Sequence, residues 1–173
     1  MDNVLLFPKT PDALTLSSEL GFTQTLFAED VVIITGSNKK EILAKATSSK
    51  ARGKKVIFIP SDEELLRYAL ERVPVDIILG VEQIHAKDSV HHVRGGLDQV
   101  LCTIAREQGK IIGFSFSSIL NSENRVRLLA RMRFNIELCK KYKVNIFFGN
   151  FSGDRWEIRG KKDLQAFGRV LGF

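Results

Sequence analysis

Cysteine, proline, tryptophan and histidine are all scarce in this 173-residue sequence, and the shortages remove whole classes of protein. Two cysteines, Cys102 and Cys139, provide neither a disulfide framework nor a four-cysteine zinc site. The three histidines are His85, His91 and His92. The adjacent pair has side chains that diverge on either a helix or a strand, and the i,i+4 spacing of a helical ligand pair is missing. No apolar run reaches the roughly 18–20 residues of a membrane helix. The opening residues MDNVLLFPKT carry an acid where a secretory leader carries bases, and Pro8 interrupts their apolar stretch. Repeats and low-complexity tracts are missing too. With 44% hydrophobic residues, the chain has enough apolar surface to bury about 70% of what it exposes unfolded. Its length suits one domain, residues 1–173. The expectation is a soluble, cytoplasmic, single-domain protein.

What is abundant is positive charge, and it is unevenly placed. The formal net charge is +6. Residues 1–36 hold one base and five acids, whereas 37–55 hold seven bases and one acid. Residues 56–90 hold three bases and seven acids, and 91–173 hold fifteen bases and seven acids. The blocks therefore run −4, +6, −4, +8. A sequence kept soluble and nothing more would intersperse its signs. Two basic blocks beside two acidic ones point to a polyanion on one face, if folding unites them; solvated helix faces are the alternative.

Apolar runs rich in β-branched and aromatic residues recur at 4–7, 23–27, 31–35, 55–59, 75–79, 111–116 and 144–148. Most are continuous, as expected of parallel strands covered on both faces. Helix starts lie between them. Thr10-Pro11-Asp12 sets a capping hydroxyl before a first-turn proline. Asn38-Lys39-Lys40-Glu41 and Ser61-Asp62-Glu63-Glu64 each place a glutamate three residues after a capping side chain. Gly96-Leu97-Asp98 opens a helix that Gly109 should end, and residues 161–171 read as a terminal helix closed by Gly172. Such alternation predicts an α/β fold with a mainly parallel sheet of about seven strands, open or closed as a compact TIM-barrel-like unit. A helix at 122–143 carries Leu128, Leu129, Met132, Ile136 and Cys139 on its core arc. Arg127, Arg131, Phe134, Leu138 and Lys141 fall opposite, where a neighbouring helix or a partner protein would cover the apolar pair.

No self-contained active site is legible. Gly113-Phe114-Ser115-Phe116-Ser117 is not a nucleophile elbow, and no carboxylate spacing selects an acid–base pair. Phosphate-binding features are stronger. Thr35-Gly36-Ser37-Asn38-Lys39-Lys40 aims backbone N–H groups and two ammonium groups at one place without forming a Walker loop. Val93-Arg94-Gly95-Gly96-Leu97 puts an arginine and two glycines before a helix. With Arg155, Arg159, Lys161 and Lys162 they favour contact with an RNA backbone. An aromatic pair of the kind that reads single-stranded bases is missing, since most of the aromatics are Phe within strand runs.

In order along the chain stand Val75-Asp76-Ile77-Ile78-Leu79, then Gly96-Leu97-Asp98-Gln99-Val100-Leu101, then Ile111-Ile112-Gly113-Phe114-Ser115-Phe116. Arg131-Met132-Arg133-Phe134-Asn135, Leu138-Cys139-Lys140-Lys141-Tyr142-Lys143-Val144, Trp156-Glu157-Ile158-Arg159 and Lys162-Asp163-Leu164-Gln165-Ala166-Phe167-Gly168 follow. From about residue 55 onward this series resembles the ribonuclease P protein component 3 family, the archaeal counterpart of the thirty-kilodalton protein subunit of eukaryotic ribonuclease P. The first 50 residues agree in pattern. The resemblance implies a compact barrel related to PHP phosphoesterases without their metal histidines. It implies a non-catalytic RNA-binding subunit of the enzyme that removes the 5′ leader of pre-tRNA, with catalysis by RNA and Mg²⁺ and no intrinsic cofactor. It also implies a small ferredoxin-like protein partner. Arg67, Arg94, Lys143 and Arg159 match basic places in the family pattern and become expected RNA contacts beside Lys39, Lys40 and Arg155. Arg127, Arg131, Phe134 and Leu138 form the expected partner face. Gln99 stands where the family commonly has His. The competing expectation is a barrel enzyme acting on a phosphorylated small molecule held near Gly36 or Gly95; a third is a scaffold that binds protein through Phe134 and Leu138.

Overall fold

Seven strands form at the seven apolar runs, and all of them pair in parallel in the computed structural model, which describes residues 2–173. They are β1 (Asn3–Val4), β2 (Thr25–Leu26), β3 (Val31–Ile34), β4 (Lys55–Phe58), β5 (Ile77–Leu79), β6 (Ile111–Ser115) and β7 (Asn145–Gly149). The helices are α1 (Pro11–Glu19), α2 (Lys39–Ala51), α3 (Glu63–Arg72), α4 (Gln99–Glu107), α5 (Phe116–Leu120), α6 (Arg125–Tyr142) and α7 (Lys161–Leu171). Strands β3 to β7 make one sheet in sequence order, and β1 pairs with β2. A Leu5–Ser152 bridge joins the two sheets, so the strands run β2-β1-β7-β6-β5-β4-β3 in space. This is the TIM-barrel-like α/β fold.

The continuous apolar runs follow from this wrapping, because alternate side chains serve two different cores. Val4, Val31, Ile57, Ile77, Leu79 and Phe151 fill the barrel interior, with Leu6, Leu26, Ile59, Ile111 and Phe147 packed against them. Their strand neighbours Ile34, Val56, Phe58, Ile78, Ile112 and Phe114 point outward into a larger core under α2, α3, α4 and α6. A third cluster, Leu5, Ala13, Phe27 and Ile158, lies beneath α1. Cys102 and Cys139 are free thiols buried in the outer core, where they meet side chain to side chain between α4 and α6.

The caps behave largely as their sequences require. Thr10, Asn38 and Asp98 accept first-turn N–H groups, and Gly109 and Gly172 take left-handed conformations at helix ends. In α3 the cap is Asp62 and not Ser61, one residue later than the box pattern suggests. The carboxylate is the better acceptor for the Leu65 N–H and also takes the Ser61 hydroxyl.

At the N-terminal end of the strands, Asp76 ties three elements together. Its Oδ2 accepts the Val56 N–H at 2.8 Å, and Oδ1 pairs with Lys50 at 2.9 Å and Lys55 at 3.3 Å. Burial pushes this carboxyl up, but the Val56 N–H and the two ammonium groups outweigh it and hold the pKa below the ordinary value. A folded-state pKa below the unfolded one gives stability that is present at neutral pH and lost as pH falls through the folded value. Asp76→Ala should therefore cost about 2 kcal/mol at pH 7. The gap in urea melts between the two proteins should narrow as pH falls below the ordinary aspartate value; a constant gap would assign the cost to packing.

Candidate nucleic-acid interface

Each β-to-α connection emerges at the C-terminal end of the strands, the end where barrel proteins carry their sites. Six of the seven expected RNA contacts are gathered there by topology. Lys39 and Lys40 open α2 after β3, Arg67 lies in the second turn of α3, and Arg94 is in the β5–α4 connection. Arg155 and Arg159 lie between β7 and α7. Lys143 does not join them: it is the left-handed C-cap of α6 and leads into β7 at the opposite end.

Local partners decide how available these cations are. Lys39 pairs with Glu64 and lies over the Tyr68 ring at 5.5 Å, while Arg67 is bound to Glu71 at 2.7 Å. Glu63 accepts His85 at 2.8 Å and lies 3.9 Å from Arg94. These acids come from the −4 block at 56–90, so the face mixes both signs. Asn150 fastens the β7–α7 connection: it accepts the Arg159 N–H at 2.8 Å and donates to the Arg159 carbonyl at 3.1 Å and to Asn3 at 3.0 Å. The Arg159 guanidinium is turned back onto the Trp156 and Ile158 carbonyls and over Phe116, so part of its role is to hold the loop. Arg155 stacks over Trp156 at 5.3 Å, and Trp156 is 77% exposed. An exposed indole beside an arginine is a platform on which a base can stack. The lone tryptophan between basic residues was the available sequence signal for it.

The two phosphate-loop candidates part company. At Gly36 the backbone is left-handed and the surrounding space is open. At Gly95 and Gly96 it is filled by protein. A Cβ on Gly95 would meet Asn135 and Phe134, and one on Gly96, at φ +90°, would meet the Val81 carbonyl. Asn135 also donates to the Gly95 carbonyl at 2.7 Å. Gly95 serves close packing against α6 and Gly96 close packing against the Val81 carbonyl, so both are filled by protein.

The expected partner face of α6 needs correction at Arg131, which is 3% exposed, while Leu138 is half-buried with one side against the outer core. Residues from the irregular β5–α4 connection cover Arg131, which a wheel drawn for a helix covered on one side alone does not anticipate. Its Nε binds Asp88 at 2.8 Å, and its Nη1 donates to the carbonyls of Glu82 and His85 at 3.0 and 2.6 Å. Arg127 and Phe134 remain exposed, with Phe134 bordering Gly95.

A cleft of about 650 Å³ lies over the barrel mouth. Leu6, Ile59, Leu79 and Phe151 form its apolar floor, and Ser115, Ser117, Asn121, Arg127, Arg131 and Glu82 are among its polar walls. Ser115 caps α5, and Ser117 is bound to Glu157, which also accepts Asn121 at 2.6 Å. The hydrogen bonds from Asn121 and Ser117 keep the Glu157 carboxyl below its ordinary pKa. The serines therefore act as cap and structural donor. No group of three or more His, Cys, Asp or Glu among the described residues could hold a metal. The described helices include none long and apolar enough to cross a membrane.

Glu82, 1% exposed, is the feature that sequence gave no reason to select. Neither carboxyl oxygen is hydrogen-bonded to another residue, and Arg131 Nη2 has no partner either. Burial pushes the Glu82 pKa up to about 7, against the pull of its own N–H and of Arg131. A carboxyl raised in the folded state binds its proton in N and loses it in U between about pH 4.5 and 7, so stability falls as pH rises through that window. Glu82→Gln removes this dependence. Its stability relative to the parent should improve by on the order of 3 kcal/mol between pH 4.5 and 8. Thermal melts across that range check the sign, and a gap independent of pH would show that Glu82 is not buried as an acid.

No family model matches the chain. It is 29% identical through 97% of its length to ribonuclease P protein component 3 of Thermococcus gammatolerans, covering 75% of that protein. It is 38% identical over 79 residues to the Thermococcus kodakarensis protein of the same name, 44% of this chain and 36% of the relative. A Methanocaldococcus jannaschii relative is 32% identical over 107 residues, 61% of this chain and 43% of the relative. Most of these matches thus span less than half of the relative. Among solved structures, a chain of archaeal ribonuclease P with mature tRNA superposes with a TM-score of 0.74 and 22% identity, over 98% of this chain and 74% of that one. An amidohydrolase superposes with a TM-score of 0.54 and 16% identity, over 79% and 33%. At these identities the superpositions speak for the barrel fold.

Proposed function

We propose that this chain, similar through 97% of its length to an archaeal ribonuclease P protein component 3, is an RNA-binding subunit of ribonuclease P, the ribonucleoprotein that removes the pre-tRNA leader. The observation that carries this reading is the likeness along 97% of the chain to a protein of that name. The mixed but cation-rich face at the strand ends supports it, because lysine and arginine on a polyanion release counterions and supply most of the affinity. In this reading the catalytic RNA and its Mg²⁺ cut the substrate, and the protein supplies no nucleophile. Ser115 and Ser117, the hydroxyls best placed in the mouth, are committed to structural bonds. Its partners are the ribonuclease P RNA, pre-tRNA in the holoenzyme and a small ferredoxin-like protein subunit, in the cytoplasm. The exposed Arg127 and Phe134 on α6 are the candidates left for the protein contact.

Reconstitution of leader cleavage from the cognate RNA and protein subunits tests the role. Omitting this chain should lower the rate. The chain alone should hydrolyse neither pre-tRNA nor phosphoesters with Mg²⁺, Mn²⁺ or Zn²⁺, and turnover that tracks it would overturn the reading. Lys40→Ala and Arg94→Ala should each reduce the salt slope of RNA binding by about 1, the signature of one lost phosphate contact. Lys143→Ala, at the far end of the barrel, should leave that slope unchanged. Equal effects at both ends would place the RNA along the side of the barrel.

A further inference from the structure

Trp156, the single tryptophan of the chain, is 77% exposed on the cation-rich face at the strand ends. A large apolar ring left in water gains nothing from burial, yet its loop holds it there. The Trp156 N–H donates to Asp154 Oδ1 at 3.0 Å, and the Trp156 carbonyl accepts the Arg159 guanidinium at 3.2 Å. The next residue, Glu157, accepts Asn121 at 2.6 Å, Ser152 at 3.3 Å and the Ser117 hydroxyl. Asn150 fixes the Arg159 N–H at 2.8 Å. The turn is thereby tied to α5 and to the end of β7, and its ring is presented in one place. A ligand that stacks on a ring already held loses little conformational entropy in ordering it.

The groups around the ring select the ligand. Asp154 and Glu157 are committed to loop hydrogen bonds, whereas Arg155 is exposed and lies over the ring at 5.3 Å. With so much of the residue exposed, ring surface remains open beside that guanidinium. The apolar hollow nearby, lined by Phe7, Pro8, Ala13 and Leu16, includes Arg155 but not the indole. A protein hot spot would set the ring within an apolar surround that excludes water. A nucleotide needs what is present, a flat face for the base and a guanidinium for the phosphate. We propose that Trp156 is the stacking platform for one unpaired base of a bound RNA, with Arg155 on the adjoining phosphate. This rests on the RNA-binding part of the function proposed above and adds a selectivity to it. Cations grip the backbone of duplex and single strand alike, whereas an open ring requires a base outside a helix. Every base has a π-face, so the platform separates unpaired from paired nucleotides without reading sequence.

The site carries its own reporter, because indole emission comes from Trp156 alone. The full chain is titrated with a labelled single-stranded oligoadenylate and with a blunt RNA duplex of equal length, following label anisotropy and indole emission together. The single strand should quench the indole on binding, and the duplex should leave its emission unchanged. Trp156→Ala should weaken single-strand binding about tenfold and leave duplex binding as it was. The salt slope should not move, because no phosphate contact is lost. Trp156→Phe keeps a ring face and should recover part of the loss. Both variants should retain the parent circular dichroism spectrum, since the side chain is exposed. Single-strand binding without quenching, or an equal loss on both RNAs after Trp156→Ala, overturns the platform. So does failure of the chain to bind the single strand, or quenching by another protein subunit in place of RNA. None of these results decides the ribonuclease P role, which is tested by the dependence of leader cleavage on this chain. Cleavage that proceeds unchanged without the chain, while RNA still quenches Trp156, would overturn that role and leave the platform standing.

Discussion

The buried guanidinium of Arg131 is the constraint on which the barrel mouth depends. A fixed fork of donors spans Asp88 and the carbonyls of Glu82 and His85, tying the long β5–α4 connection to α6. Asp88 then accepts the Arg94 N–H at 2.9 Å, and Asn135, one turn further along α6, holds the Gly95 carbonyl. Through this chain of contacts a connection with little regular structure acquires one shape. Arg94 is presented, Gly95 and Gly96 are pressed onto protein, and Glu82 is sealed beside the cleft. Removing one member of such a buried set leaves the others unpaired, and that loss exceeds the net worth of any single bond.

Around that anchor the molecule separates stability from recognition by position along the barrel axis. The closed end has Asp76 with its lysines, and Lys110 donating to the Val73 and Val75 carbonyls at 2.8 and 3.2 Å; both close off strand ends. The open end has the exposed cations, the indole of Trp156 and the polar cleft. The sign pattern along the chain becomes intelligible in three dimensions. Part of the acidic block at 56–90 is spent at the mouth on Lys39, Arg67 and Arg94, orienting cations that a polyanion would then meet in fixed positions. Surface pairs of this kind add little stability in water. Their value lies in geometry.

Much of the fold was legible in the residues. Seven apolar runs became seven strands, and most of the caps and helix ends fell where Thr10, Asn38, Asp98, Gly109 and Gly172 placed them. The shift from Ser61 to Asp62 at α3 is a contest between two adjacent acceptors that a pattern does not resolve. The site was less legible. Arg131 and Arg127 sit four residues apart and look alike on a wheel, yet one is buried and the other exposed. Glu82 belongs to an ordinary Val-Glu-Gln stretch with no motif, and its isolation arises from elements that pack over it.

The sequence by itself determined what depends on near neighbours: strand and helix order, capping chemistry, two-sided burial of the strands and the blocks of charge. These are local because backbone propensity and hydrogen-bond satisfaction act over a few residues. The tertiary structure alone decided which glycines make room for protein and which face open space. It also decided which end of the barrel each cation reaches, and which polar groups lose their water without gaining a partner. Those outcomes depend on contacts between residues forty or more positions apart, such as Arg131 with Asp88 and Asn135 with Gly95. Desolvation is set by everything that surrounds a group, so no stretch of sequence contains it.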